Sequence, residues 1–160
     1  MAPAVRAAPH FLAVLAAVVL VACRPAAAPP VLGDVPPFAL VEQDGRPFGA
    51  ERLRGRISVV NFIFTTCPDV CPALTAQMRR LDELLPPGER PQRVSISVDP
   101  LRDTPAALRR YAEVHRAGPD WAFLTGDRTA VATLLRDGFR VAFADDGPPN
   151  AGPIAKGENR

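Results

Sequence analysis

Residues 57–72 read ISVVNFIFTTCPDVCP. The apolar, β-branched and aromatic run from Ile57 to Phe64 is typical of a central parallel strand that helices cover on both faces. Cys67 and Cys71 follow directly, where the strand gives way to a helix with Pro72 at its first position. The segment therefore predicts a thiol pair at the edge of a rigid sheet, in the place where the chemistry of this chain is expected.

Further strands are predicted from short apolar runs bounded by turn residues. They are Phe38–Val41, Arg93–Val98, Trp121–Leu124 and Phe139–Ala144. The Asp44–Gly45 pair favours a hairpin turn, after which a returning strand begins at Pro47.

Three helices are predicted between these strands, each with an apolar stripe that faces inward. The stripes are Leu74, Met78, Leu81 and Leu85 in the first helix, Leu108, Tyr111 and Ala112 in the second, and Val131, Leu134 and Leu135 in the third. Asp103 or Thr104 can cap the second helix, and Thr125 or Asp127 the third. The alternation of strand and helix predicts an α/β sheet, with its ligand site at the carboxyl ends of the strands.

The chain of 160 residues is long enough for one domain, and its net charge of +2 comes from basic residues interspersed with acids. No basic run could neutralise a phosphate backbone, so nucleic acid is not an expected partner.

The N-terminus is expected to lie outside the folded domain. Residues 1–22 resemble a signal peptide, with Arg6 before the apolar segment Phe11–Ala22. Cys23 follows in the manner of a bacterial lipoprotein, which makes it a candidate lipidation site; an uncleaved anchor is the alternative. Residues 23–36 are a Pro- and Ala-rich linker, and 37–160 the domain. Each reading predicts a membrane-anchored protein on the periplasmic or extracytoplasmic side of the bacterial envelope.

The spacing of Cys67 and Cys71 permits several chemistries. Four residues along a helix span about 6 Å, a distance that suits both a disulfide and two thiolates that converge on one ion. A disulfide over so short a loop would stabilise little, because it removes little entropy from the unfolded chain. Thiolates select Cu(I) or zinc, and two cysteines alone do not make a four-ligand structural zinc site. A copper site and a dithiol oxidoreductase both remain open.

Three ordered motifs resemble the SCO/SenC family. They are Val59–Pro72, Ser97–Pro105 and Trp121–Gly126. The resemblance implies a thioredoxin-like fold with a central mixed sheet flanked by helices, a membrane tether, and copper handling in cytochrome c oxidase assembly. It also implies that Cys67 and Cys71 bind copper and cycle between dithiol and disulfide. Cytochrome c oxidase subunit II or another copper chaperone would be the partner.

The family's third copper ligand is a histidine near the C-terminus, and here the chain departs from the pattern. Only His10 and His115 are present, the first in the signal segment and the second expected as a surface or packing residue. Lys156 is nearest to the expected position, and a protonated amine cannot donate a lone pair. The final C-terminal elements of the family fold are also expected to be missing. Two thiolates alone favour Cu(I) over Cu(II).

The acidic residues near the cysteines are candidates for supporting roles. Asp69 could tune the thiol pKa values or face a positively charged partner, whereas Asp99 and Asp103 are expected to cap turns and the second helix. The leading hypothesis is a membrane-tethered copper metallochaperone, and the alternative is a thiol–disulfide oxidoreductase that uses the same two cysteines.

Overall fold

The computed structural model describes residues 30–141. The chain separates into two units, residues 1–32 and 33–160, and every element described lies in the second. The strands are β1 (Ala39–Glu42), β2 (Pro47–Gly49), β3 (Ser58–Ile63), β4 (Gln92–Ser97) and β5 (Trp121–Thr125). The helices are α1 (Val70–Leu84), α2 (Pro105–Val114) and α3 (Arg128–Thr133), which continues as a π-helical turn over Leu134–Gly138; short 3-10 turns lie at Ala50–Leu53 and Pro87–Glu89.

One mixed sheet holds all five strands in the order β2–β1–β5–β4–β3. β3, β4 and β5 are parallel, whereas β1 is antiparallel to both β2 and β5. Gly45 has a φ of 87° in the turn between β1 and β2, a conformation that glycine adopts without a steric cost. The predicted hairpin and the mixed α/β sheet are therefore confirmed.

The two faces of the sheet carry separate buried clusters. On β5, Trp121 and Phe123 face the cluster that includes residues of α1 and α2, while Ala122 and Leu124 face the cluster on the α3 side. This alternation follows from the two-residue period of a strand. β5 has β1 and β4 along its two edges and a cluster on each face, so all five of its residues are buried.

β3 lies at the edge of the sheet among residues 30–141, because it pairs there with β4 alone. The prediction of a central strand was wrong for the described part of the chain. Five of its six residues are only half-buried, and Ile63 is the fully buried one. An apolar composition indicates that helices cover the faces of a strand, but it carries no information about the number of hydrogen-bonded neighbours.

Helix α1 begins at Val70, two residues before the predicted start, so Pro72 is its third residue. Proline fits there because the first-turn N–H groups have no partner within the helix. The buried face is Cys71, Thr75 and Met78 rather than the whole predicted leucine stripe, and Leu74 is exposed. Cys71 therefore belongs to the first turn of the helix.

The predicted caps of the other helices are resolved by their hydrogen bonds. Thr104 caps α2 by accepting from the Ala107 amide, and Asp127 caps α3 by accepting from the Ala130 amide.

The predicted strand at Phe139–Ala144 has not begun by Val141, the last described residue. The backbone of Phe139 is in the helical region, and Arg140 has a φ of 53°.

Several predictions concern residues outside 30–141, namely the signal segment, Cys23, most of the linker, Lys156 and the C-terminal elements. Within 30–141, no helix has the length and apolar character needed to cross a bilayer.

Candidate metal centre

The cysteine loop joins the carboxyl end of β3 to the amino end of α1. The Cys67 amide donates to the Phe64 carbonyl at 3.2 Å, which turns the chain sharply as it leaves the strand. Asp69 occupies the N-cap position of α1, but its exposed side chain makes no capping hydrogen bond. The sulfur of Cys67 accepts from the Cys71 amide at 3.3 Å instead, so a thiol takes the role of the capping oxygen.

Cys67 is half-buried and is the more acidic thiol of the pair. Burial acts to raise the pKa of Cys67, but hydrogen bonds from the amide and the side chain of Cys71 outweigh it. The amides of Asp69 and Val70 add to this effect, and the pKa of Cys67 lies below its usual value. Free amides at a helix N-terminus stabilise a thiolate in this way.

Cys71 is buried, and burial raises the pKa of its thiol to about 11. A backbone hydrogen bond at Phe64 opposes this shift, while the neighbouring Cys67 and the carboxylate of Asp103 increase it. The pair is therefore asymmetric, with a reactive sulfur at the surface and a protonated one behind it. Both cysteines are free.

Asp103 holds the cysteine loop in place by hydrogen bonds from the protein interior. Its buried carboxylate accepts from the Thr65 amide at 3.1 Å, from the Thr65 hydroxyl at 2.6 Å and from the Ser97 hydroxyl at 2.6 Å. These bonds join the loop to the end of β4 and the start of α2. The expectation that Asp103 caps a helix was wrong, because Thr104 has that role. Asp99 does lie in a turn: its backbone carbonyl accepts from the Arg102 and Asp103 amides, and its carboxylate accepts from the Arg102 guanidinium at 3.0 Å.

A second polar contact supports Cys71 from the helix side. The Thr75 hydroxyl donates to the Cys71 carbonyl at 2.8 Å and lies 2.9 Å from the Tyr111 hydroxyl. Burial raises the pKa of Tyr111, so this phenol stays protonated and able to hydrogen-bond. Sequence reasoning placed Tyr111 in the core but missed this contact and the anchoring by Asp103. The serines within buried strand β4 could have indicated a polar contact behind the loop, since a buried hydroxyl requires a hydrogen-bond partner.

Cys67 opens onto a cavity of about 340 Å³ that is also lined by Tyr111, Arg110 and His115. His115 packs against the Tyr111 ring at 4.2 Å between centroids, and burial lowers its pKa. Within residues 30–141 no three His, Cys, Asp or Glu side chains form a group that could hold a metal ion. The ring contact of His115 with Tyr111 fits the packing role expected for it. The two cysteines are the soft donors that the described site brings together.

This donor set fits a monovalent soft ion better than a divalent one. Two thiolates can coordinate Cu(I), whereas Cu(II) prefers additional nitrogen donors in a tetragonal arrangement. Coordination would displace the proton of Cys71, since thiols bind metals as thiolates. The same sulfurs could instead exchange electrons, with Cys67 as the attacking thiolate and Cys71 as the resolving thiol.

Comparison with known proteins places the chain. The SCO1/SenC family model matches residues 31–155. A relative from Stutzerimonas stutzeri, whose name refers to copper binding, is 45% identical over 104 residues, which are 64% of this chain and 50% of the relative. The chain thus spans about half the length of the curated relatives it matches.

Two solved structures share the fold. The Sco protein BsSco, reported with a disulfide switch and as a member of a family of cytochrome c oxidase assembly proteins, is 32% identical with a TM-score of 0.64, over 71% of this chain and 68% of that one. Copper-bound ScoI from Bradyrhizobium japonicum is 27% identical with a TM-score of 0.60, over 76% of each chain. The expected thioredoxin-like fold is thereby confirmed. These two structures are of a copper-bound protein and of a member of a family of cytochrome c oxidase assembly proteins. The chain belongs to the SCO1/SenC family.

Proposed function

We propose that this chain is a membrane-tethered copper metallochaperone that helps to mature the copper A site of cytochrome c oxidase. Cys67 and Cys71 are its copper ligands, and Cu(I) is the favoured state. The observation that carries the proposal is the free thiol pair, in which the sulfur of Cys67 already accepts hydrogen bonds that favour the thiolate. Copper bound to a related ScoI structure supports the choice of metal.

The tether and the partner follow from other features. The apolar segment before Cys23 supports lipidation of that cysteine and attachment to the outer face of the bacterial cytoplasmic membrane. Cytochrome c oxidase subunit II, or another copper chaperone, is the proposed partner, in keeping with the role reported for the BsSco family.

Cu(I) titration in competition with a chromophoric chelator tests the ligands. The wild-type protein should bind one Cu(I) per chain, and the variants Cys67→Ser and Cys71→Ser should lose that binding. Cys23→Ser is the matched control, because it removes a thiol outside the site and should keep the stoichiometry. Unchanged binding in both site variants would refute the proposal.

The third ligand can be tested at Lys156. Replacing it with histidine supplies the nitrogen donor that the family pattern has near this position, so Lys156→His should retain Cu(II) better than wild type and show a stronger thiolate-to-copper charge-transfer band. Lys156→Ala removes the amine without adding a donor and should behave as wild type. Equal Cu(II) retention by all three proteins would contradict a ligand position there.

The asymmetry of the two thiols favours a second candidate, a thiol–disulfide oxidoreductase. The Cys67 thiolate would attack a partner disulfide and form a mixed disulfide, with release of one partner thiolate. Cys71, on losing its proton, would then attack Cys67, close the Cys67–Cys71 disulfide and release the second partner thiol. The partner gains two electrons and the pair loses two.

Trapping separates this activity from copper delivery. Cys71→Ser should accumulate the mixed disulfide in the absence of copper, because the resolving thiol is gone, whereas Cys67→Ser should not. Failure of Cys71→Ser to form any mixed disulfide with an oxidised copper A domain would count against the second candidate.

A further inference from the structure

Arginine side chains surround the cavity beside Cys67. This cavity shares Val114 and His115 with a second cavity of about 300 Å³, so the two follow the seam between α1 and α2 as one groove. Its arginines are Arg79 from α1, Arg110 from α2 and Arg116 just beyond α2. We call this feature the arginine groove. No acidic side chain lines either cavity within the described range.

These three guanidinium groups have no hydrogen-bond or ion-pair partner among residues 30–141. Two arginines elsewhere in the domain are paired, since Arg52 contacts Glu42 and Arg93 contacts Asp82. Because burial lowers the pKa of His115, the positive charge of the groove comes from the arginines alone. Several like charges around one depression attract an anionic ligand and speed its encounter with the site.

The dimensions of the groove suit a short stretch of polypeptide. On α1 its wall runs from Pro72 through Ala76 to Arg79, a rise of seven helical steps or about 10 Å. An extended chain covers that length in about three residues. The small side chains of Ala76 and Ala107 leave the groove open to solvent, and the exposed Val114 provides an apolar surface between the arginines.

We propose that the arginine groove binds an extended acidic segment of the partner protein, three or four residues long, and so brings the partner's cysteines to Cys67. This proposal rests on the function proposed above, because it names the feature of the partner that the thiol site would recognise. Charge complementarity selects the segment, and the position of Cys67 at one end of the groove sets the direction in which the partner's thiols lie.

Peptide binding tests the groove on the full chain, with capped tetraglutamate as the probe and isothermal calorimetry at low salt as the measurement. Arg79→Gln/Arg110→Gln should weaken binding by about fivefold or more, since two of three charges are lost. The matched control is Arg54→Gln/Arg56→Gln, which removes two exposed, unpaired arginines. These arginines precede the start of β3, whereas the cysteine loop follows its end. The control should stay within about twofold of wild type.

A reactivity ratio gives a second readout that does not depend on copper. Anionic iodoacetate and neutral iodoacetamide attack the same Cys67 thiolate, so the ratio of their rates cancels the thiol pKa and reports the local potential. The groove variant should lower this ratio by about threefold, and added salt should lower it in wild type.

The outcomes separate this proposal from the copper proposal. Cu(I) stoichiometry should be unchanged in Arg79→Gln/Arg110→Gln, so a loss of peptide binding with copper retained supports the groove. Equal weakening by both double variants, or wild-type binding of capped tetralysine as tight as that of tetraglutamate, overturns the groove whatever the result with copper.

Discussion

Both faces of the sheet carry a buried cluster, but the clusters differ in their polar side chains. On the α3 face, Val94, Ile96 and Leu124 pack with Leu134 and Leu135, and the buried carboxylate near this cluster, Glu42, lies opposite Leu124 at the far side of the sheet from the cysteines. On the face of α1 and α2, the neighbouring positions of β4 are serines, and buried hydroxyl and carboxyl groups lie behind the cysteines. The comparison indicates that one face supplies stability, while the other gives up apolar contact to position the thiol site.

The largest expected effect is on the α3 face. Leu135→Ala removes a side chain that is 0% exposed and should lower the free energy of unfolding by about 2–5 kcal/mol. Leu101→Ala, at 52% exposure, is the control and should change it by less than about 0.5 kcal/mol. Urea denaturation measures both. A smaller loss for Leu135→Ala than for Leu101→Ala would contradict the stabilising role of the α3 face.

The second prediction concerns the two thiols on the other face. The pKa of Cys71 is raised to about 11, while that of Cys67 lies below its usual value. At any pH near 8 the thiolate fraction is therefore larger for Cys67 than for Cys71, whose thiol stays almost wholly protonated. Iodoacetamide should therefore modify Cys67 first, with a rate that levels off at lower pH than for an ordinary thiol.

Variants that lack one cysteine of the pair allow each rate to be measured, with mass spectrometry of the peptide that carries the remaining thiol. In Cys71→Ser the Cys67 rate should level off early, while in Cys67→Ser the Cys71 rate should still climb above pH 9, because burial keeps its thiol protonated. Equal pH profiles would show that the two sulfurs share one environment.

Substitution of Asp103 is expected to lower both the free energy of unfolding and the Cu(I) affinity, by less than the loss expected for Leu135→Ala. Asp103→Asn places an amide donor against the Thr65 and Ser97 donors and should cost about 1–3 kcal/mol of stability. Cu(I) affinity should fall with it, since the loop that holds Cys67 loses its anchor. Asp127→Asn is the control, because asparagine is also a good N-cap. Unchanged stability and copper affinity in Asp103→Asn would refute the anchoring role.

The smallest effect is expected at Tyr111. Tyr111→Phe removes the hydroxyl that contacts Thr75 but keeps the ring, so the loss of stability should be about 0.5–1.5 kcal/mol. Thr75→Val removes the contact to the Cys71 carbonyl as well and should cost more. The opposite order in thermal unfolding would show that the two hydroxyls do not form one supporting contact.

Local patterns in the sequence predicted most of the elements. The Asp44–Gly45 turn, the caps at Thr104 and Asp127 and the strand at Trp121 depend on neighbours a few residues away, and each is present. The edge position of β3 was not predictable, because strand order depends on pairing between distant segments. The early start of α1 was missed because the Cys67 sulfur, rather than the Asp69 oxygen, meets its first turn.

By itself the sequence determined that two thiols follow an apolar strand and lie at the start of a helix, because hydrophobic periodicity and proline act over a few residues. Only the tertiary structure decided which thiol is half-buried and more acidic and which is buried and protonated. That difference arises in the folded site, where burial and the nearby Asp103 carboxylate raise the pKa of Cys71, while Cys67 accepts hydrogen bonds from the amides of the first turn of α1. It arises there because burial and electrostatic interaction depend on distances in space, which the order of residues along the chain does not contain.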